Sequence, residues 1–116
     1  MDVETEITGK GILMIKVRGR MHLKDLQEME TRFKDLIKGH KSVIIDLSGL
    51  EVLFSMGLRA LIMCAQLMEL KGGKLVLMAP NSNVLSVLKA SGTIKLIAVY
   101  ADQERAEAAV LAQTKI

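Results

Sequence analysis

The sequence predicts an α/β domain with a mixed, mostly parallel central sheet of about five strands, an N-terminal hairpin and about four helices. Three observations lead there. Strand-like and helix-like runs follow one another in the order β-β-α-β-α-β-α-β-α. The run Val43-Ile44-Ile45-Asp46-Leu47 is almost wholly apolar, as a parallel strand covered on both faces must be. Nothing divides the 116 residues: the single proline is Pro80, and no repeat, linker or low-complexity tract interrupts the pattern, so residues 1–116 are read as one domain.

The elements follow in order. Val3 to Thr8 alternates apolar and polar residues and reads as an edge strand. Gly9-Lys10-Gly11 is a turn, and Ile12 to Val17 a second strand that closes a hairpin. Leu23 to Lys38 is a helix, with Leu26, Met29, Phe33, Leu36 and Ile37 on one face and Gly39 as its C-terminal stop. Val43 to Leu47 is the central strand, and Ser48-Gly49-Leu50-Glu51 a turn. A helix runs from Ser55 to about Lys71, ended by Gly72-Gly73. Lys74 to Met78 is a buried strand, and Ala79-Pro80-Asn81-Ser82 a turn with capping residues. Val84 to Ala90 is a helix stopped by Ser91-Gly92, and Ile94 to Val99 the last strand. Asp102 caps a final helix to about Ala112.

Composition narrows the function. Half the residues are hydrophobic, yet Phe33, Phe54 and Tyr100 are the only aromatics, so the core is aliphatic and rich in the eight Met. The net charge of +3 is scattered, with no dense basic run and no aromatic platform for stacking bases, which argues against nucleic-acid binding. The lone Cys64 forms no internal disulfide and falls in an apolar helical pattern, where it acts as a small hydrophobe. Met1-Asp2-Val3-Glu4 lacks the basic-then-apolar order of a signal peptide. The apolar stretch Val52 to Leu70 carries Arg59, Gln66 and Glu69, too polar for a membrane span. A cytoplasmic protein is expected. His22 and His40 stand apart without paired acids or Cys, so no metal is expected. No phosphate loop or dinucleotide fingerprint is present, and no cofactor is expected. Leu53 breaks the Gly-x-Ser-x-Gly pattern that Ser55-Met56-Gly57 would need for a nucleophile elbow, and no catalytic residue or enzymatic activity is expected.

The informative segment is Asp46-Leu47-Ser48-Gly49-Leu50-Glu51-Val52-Leu53-Phe54-Ser55-Met56-Gly57-Leu58. A buried strand exits, a short apolar stretch returns, and a helix opens. Ser55 suits the N-cap, its hydroxyl accepting from the Gly57 or Leu58 amide. Gly57 leaves room for close approach at the helix start. A phosphate on Ser55 would be favoured by the helix dipole by about 0.3–1 kcal/mol. A partner pressing an apolar surface there would meet its desolvation cost.

This segment resembles the STAS family, which includes the bacterial anti-sigma-factor antagonists. Those proteins carry an apolar strand, Asp-Leu-Ser, an apolar pair, and Asp-Ser-Ser/Thr-Gly-Leu opening a helix. The phosphorylated Ser of that motif aligns with Ser55, and its Gly-Leu with Gly57-Leu58. Val17-Arg18-Gly19, Lys71-Gly72-Gly73-Lys74-Leu75-Val76-Leu77 and Val84 to Gly92 match further family features, so the resemblance spans nearly the whole chain. It implies a STAS-like fold and a bacterial regulator of transcription. Such a regulator binds an anti-sigma factor or switch serine kinase, with docking controlled by phosphorylation of Ser55. STAS-like domains that are not phosphorylated serve instead as subunits of transport or multiprotein signalling assemblies. Three departures stand out: Phe54 replaces the Asp before the Ser, Met56 replaces the second hydroxyl residue, and Gly19-Arg20-Met21-His22 replaces an acidic Gly-Glu-Leu-Asp.

On a helical wheel, Leu58, Leu61, Ile62, Ala65 and Met68 form the expected core face of the second helix. Met56, Ala60, Met63 and Leu67 fall opposite. That stripe is either covered by the following or the C-terminal helix, or it is a Met-rich docking surface for a partner or a second copy. In the latter case Met63→Glu would abolish binding without unfolding. Arg20, Met21 and His22 belong at the same end of the sheet and join Phe54, Ser55, Met56, Gly57, Ala60, Met63 and Leu67 as candidate partner-binding residues.

Overall fold

The computed structural model describes residues 1–112. The elements are β1 (Asp2–Ile7), β2 (Leu13–Gly19), α1 (Leu23–Ile37), β3 (Ser42–Leu50), α2 (Ser55–Leu70), β4 (Lys74–Met78), α3 (Ser82–Ala90), β5 (Val99–Tyr100) and α4 (Gln103–Ala112). The strands form one sheet in the order β1-β2-β3-β4-β5. The β1–β2 hairpin is antiparallel and every other pairing is parallel.

Alternation along the strands explains the two layers of core. Leu13, Ile15, Val17, Val43, Ile45, Leu47, Leu75 and Leu77 face the layer made by α1, α2 and α3, where Met29, Phe33, Leu61, Met68, Val84 and Leu88 meet them. Ile12, Met14, Ile44, Val76 and Met78 face the other way, and α4 covers them with Ala106 and Val110. Burial on both faces is why β3 and β4 read as continuous apolar runs.

Two expectations require correction. The central strand does not stop at Leu47 but continues to Leu50, through residues assigned to a turn. Register shows why: Lys16 pairs with Asp46 but Arg18 with Gly49, so β3 carries one extra residue there. The Asp46 carboxylate accepts the Ser48 amide at 2.9 Å and holds this bulge. The bulge puts Leu50, fully buried, on the same face as Leu47. The last strand is not Ile94 to Val99. Gly92 turns with φ 78°, Thr93–Lys95 forms a 3-10 turn, and the Thr93 carbonyl accepts the Leu96 and Ile97 amides. The chain thus coils to bury Ile97, and only Val99–Tyr100 pairs with β4.

At one pole the ends of α1 and α2 are tied together. Lys71 Nζ donates to the Ile37 carbonyl at 2.8 Å, and Lys41 Nζ donates to the Lys71 carbonyl. Both lysines satisfy helix-end carbonyls left without intrahelical partners. Ser55 lies at the opposite pole, where α2 begins.

Candidate functional site

The carboxyl ends of β2, β3 and β4 converge at the Ser55 pole, the end where parallel α/β sheets place their sites. The loop between β3 and α2 is held from two sides. The Glu51 amide donates to the Gly19 carbonyl at 3.0 Å. Asn81, which caps α3, donates its side-chain amide to the Leu50 carbonyl at 3.0 Å. The loop therefore presents Phe54 and Ser55 from a fixed base.

Phe54, rather than Ser55, is the N-cap of α2, and no side chain caps this end. The expected Ser55 cap is thus replaced: Ser55 is the first helical residue, and no side-chain hydrogen bond caps the first-turn amides. Ser55 is exposed, flanked by Phe54 and Met56 at 40% and 42% exposure. An accessible hydroxyl thus sits between two accessible apolar side chains at the positive end of a 16-residue helix.

The structure divides the other candidates. Arg20 and His22 are exposed beside this end. Met21 between them is buried, so it makes no direct partner contact. A Cβ built on Gly57 would stand 3.2 Å from Met21 Sδ and 3.0 Å from Leu53 Cδ1. Gly57 is therefore small because Met21 and Leu53 pack on it, and not to admit a partner.

Ala60 is also buried, and Met63 and Leu67 are half-buried. The stripe is covered by the preceding helix, α1, and not by the following or C-terminal one. Buried along α2 are Gly57, Ala60, Leu61, Cys64 and Met68, while Leu58, Ile62 and Ala65 of the expected core face are only half-buried. The wheel alone missed this because α2 has two neighbours, sheet and α1, and its buried arc lies between them. Burial pushes the Cys64 thiol up to about 11, with the nearby Glu30 charge adding to it.

What remains open on this side is the head of the α1–α2 seam. Leu26, Gln27 and Glu30 of α1 and Met56 and Arg59 of α2 line a groove there. Leu23, at 67% exposure, stands at the start of α1. The sequence reading missed these α1 residues and Arg59, because nothing local shows that α1 lies along α2. The head of α1 is itself secured: the Asp25 carboxylate accepts the His22 amide at 2.8 Å and the N-terminal ammonium at 3.2 Å. The His22 amide above all, and the ammonium with it, hold the Asp25 carboxyl below its ordinary value.

No helix among the described residues is long and apolar enough to cross a membrane. The Ser55 hydroxyl has no hydrogen-bond partner among the described residues that could act as a base.

A five-stranded mixed sheet with its helix layer on one face and α4 on the other is a STAS-like fold. The STAS domain profile matches residues 3–106, and the chain belongs to that family. It is 28% identical over 100 residues to BtrV of Bordetella bronchiseptica, assigned as an anti-sigma factor antagonist, covering 85% of this chain and 86% of that one. Its fold matches the crystal structure of an anti-sigma factor antagonist from Mycobacterium paratuberculosis with a TM-score of 0.84, at 21% identity over 95% and 93% of the two chains. It also matches the Bacillus anti-sigma factor antagonist SpoIIAA. For the unphosphorylated form the TM-score is 0.77, at 17% identity over 99% of each chain. For the phosphorylated form it is 0.71, at 17% identity over 94% of this chain and 99% of that one.

Proposed function

We propose that this domain is a cytoplasmic regulator of the anti-sigma-factor-antagonist type. In this reading it docks an anti-sigma factor or switch serine kinase through the Ser55 end of α2, and phosphorylation of Ser55 prevents docking. The observation that carries the reading is the exposed Ser55 hydroxyl between exposed Phe54 and Met56. The surface is apolar enough to bind, and its centre carries a modifiable group. The relationship to BtrV and to SpoIIAA, a protein known in both phosphorylation states, supports it.

The switch is electrostatic. Ser55 Oγ attacks the terminal phosphorus of a nucleoside triphosphate bound to the partner kinase. The new O–P bond forms as the bridging O–P bond breaks, the diphosphate leaves, and the hydroxyl proton passes to the kinase's base. The helix accepts the new charge, which lies at its positive end. The partner does not, because its apolar surface would have to desolvate a group carrying about −1.5 to −2 charges. The domain itself acts as substrate and binding module and not as an enzyme.

Intact-mass measurement of the protein from its native cells, with any phosphate mapped, tests the switch. Phosphate on Ser55, and a Ser55→Asp variant that stays folded and loses the partner, are the expected results. Undiminished binding by that variant would reject it. Phe54 and Met56, which replace the acid and second hydroxyl of the antagonist motif, favour a second reading: an unphosphorylated STAS subunit of a transport or signalling assembly. Ser55 free of phosphate under all growth conditions would select it.

A further inference from the structure

Ser55 and Arg59 stand four residues apart on α2, and both are exposed. Residues at this spacing rise from the same helix face one turn apart, and an acid placed four residues before a base is the favourable order. The Arg59 guanidinium makes no hydrogen bond or ion pair with any described residue, although it borders the α1–α2 groove together with Glu30. A cation without a partner among the described residues thus stands one turn from the exposed Ser55 hydroxyl.

We infer that a phosphoryl group on Ser55 is held in cis by Arg59, and that this pairing draws the guanidinium away from the groove lined by Leu26, Gln27, Glu30 and Met56. The inference rests on the switch reading only in requiring phosphoserine at position 55. The phosphate arrives covalently attached, so the helix end need not capture a free anion. A planar guanidinium fork bonds two phosphate oxygens at once, which a surface lysine does not. Phosphorylation then changes the docking surface twice. It adds negative charge between Phe54 and Met56, and it draws positive charge away from the rim of the groove that Glu30 also lines. Arg59 is a positioning residue for the switch, acting through the phosphate.

The test uses the full chain with phosphoserine installed at position 55 during translation, so no kinase is needed. The phosphate is titrated by 31P NMR in the wild type, in Arg59→Gln and in Arg59→Lys. Against a free second pKa of about 6, the wild-type midpoint is expected about half a unit below that of Arg59→Gln, with Arg59→Lys between them. The Arg59 Nε–H resonance should also move on phosphorylation. Coincident titrations of the wild type and Arg59→Gln, or an unmoved Nε–H, would overturn the pairing. If Arg59→Gln fails to fold, salt decides: the wild-type midpoint must rise with added salt more than that of the isolated phosphorylated peptide, and an equal rise also overturns it. Absence of phosphate on Ser55 in cells would defeat the switch reading alone, because the installed phosphoserine tests Arg59 independently.

Discussion

The side-chain amide of Asn81 bonds the Leu50 carbonyl at 3.0 Å while its oxygen accepts the Val84 amide at 2.8 Å. One side chain thereby caps α3 and pins the end of β3 from which the Ser55 loop departs. Asn81→Ala should lose about 1–2 kcal/mol of stability in urea unfolding, since both a cap and a tether go. Asn81→Asp keeps the cap oxygen and loses the tether, so it should cost less but speed amide exchange at Val52 to Phe54. Unchanged exchange there would show that the tether does not hold the loop.

Ser55 should behave in the opposite way. Its hydroxyl caps nothing, so Ser55→Ala should change stability by less than about 0.5 kcal/mol. A loss as large as that of Asn81→Ala would restore the cap role that the structure denies it.

Gly57 is fixed by its neighbours. Gly57→Val puts new carbon within reach of Met21 and Leu53, and should destabilise by about 1–3 kcal/mol through overpacking. Combining it with Met21→Ala removes the Met21 part of the clash and leaves that with Leu53, so the double variant should lose less than the sum of the two single losses. Strict additivity in chemical unfolding would mean that Met21 does not set this position.

The two methionines of the former stripe should part company. Met63 is half-buried against α1, so Met63→Glu should unfold or strongly destabilise the domain, the reverse of what a free docking stripe implies. Met56→Glu, on the open rim, should leave the melting temperature nearly unchanged and reduce partner binding. Circular dichroism melts separate the cases.

Asp25 gives a pH dependence whose direction is fixed. Its folded pKa lies below its ordinary value of 3.8, chiefly through the His22 amide, so the ionised form stabilises the fold. That contribution is present above the unfolded pKa and is lost as pH falls through the folded one. Asp25→Asn should therefore show a shallower acid decline below about pH 4 than the wild type. Identical acid profiles would remove Asp25 from the list of groups that secure the head of α1.

Most of the architecture was legible because it depends on local periodicity. The apolar runs of β3 and β4, the Asp102 cap and the hairpin are written in adjacent residues, and the Arg105 amide does bond Asp102 at 2.9 Å. Two of the errors share a cause in tertiary structure. The bulge at Asp46 is visible only in the pairing of β3 with β2, and the burial of Ala60 only once α1 lies along α2. Ile94 and Leu96 look like strand residues, yet the Ser91–Thr93 hydroxyl contact at 2.7 Å and the left-handed Gly92 commit the chain to a coil first. At the candidate site, the place of Ser55 at the head of α2 was legible in the sequence, whereas the nearness of Arg59 to the α1 side of the groove was not.

The crossed lysines at the far pole have a mechanical consequence. With Lys71 bonded to the end of α1 and Lys41 to the end of α2, the two helices are clasped at one extremity and flank a groove toward the other. The clasp acts as a fulcrum and α2 as an arm of about 24 Å. A tilt of only ~5° about that pivot moves the Ser55 tip by ~2 Å along an arm of that length. The strands, packed on both faces, would not need to shift. A force applied at the Ser55 tip would therefore act on the α1–α2 seam through a longer arm than the same force applied near Leu70.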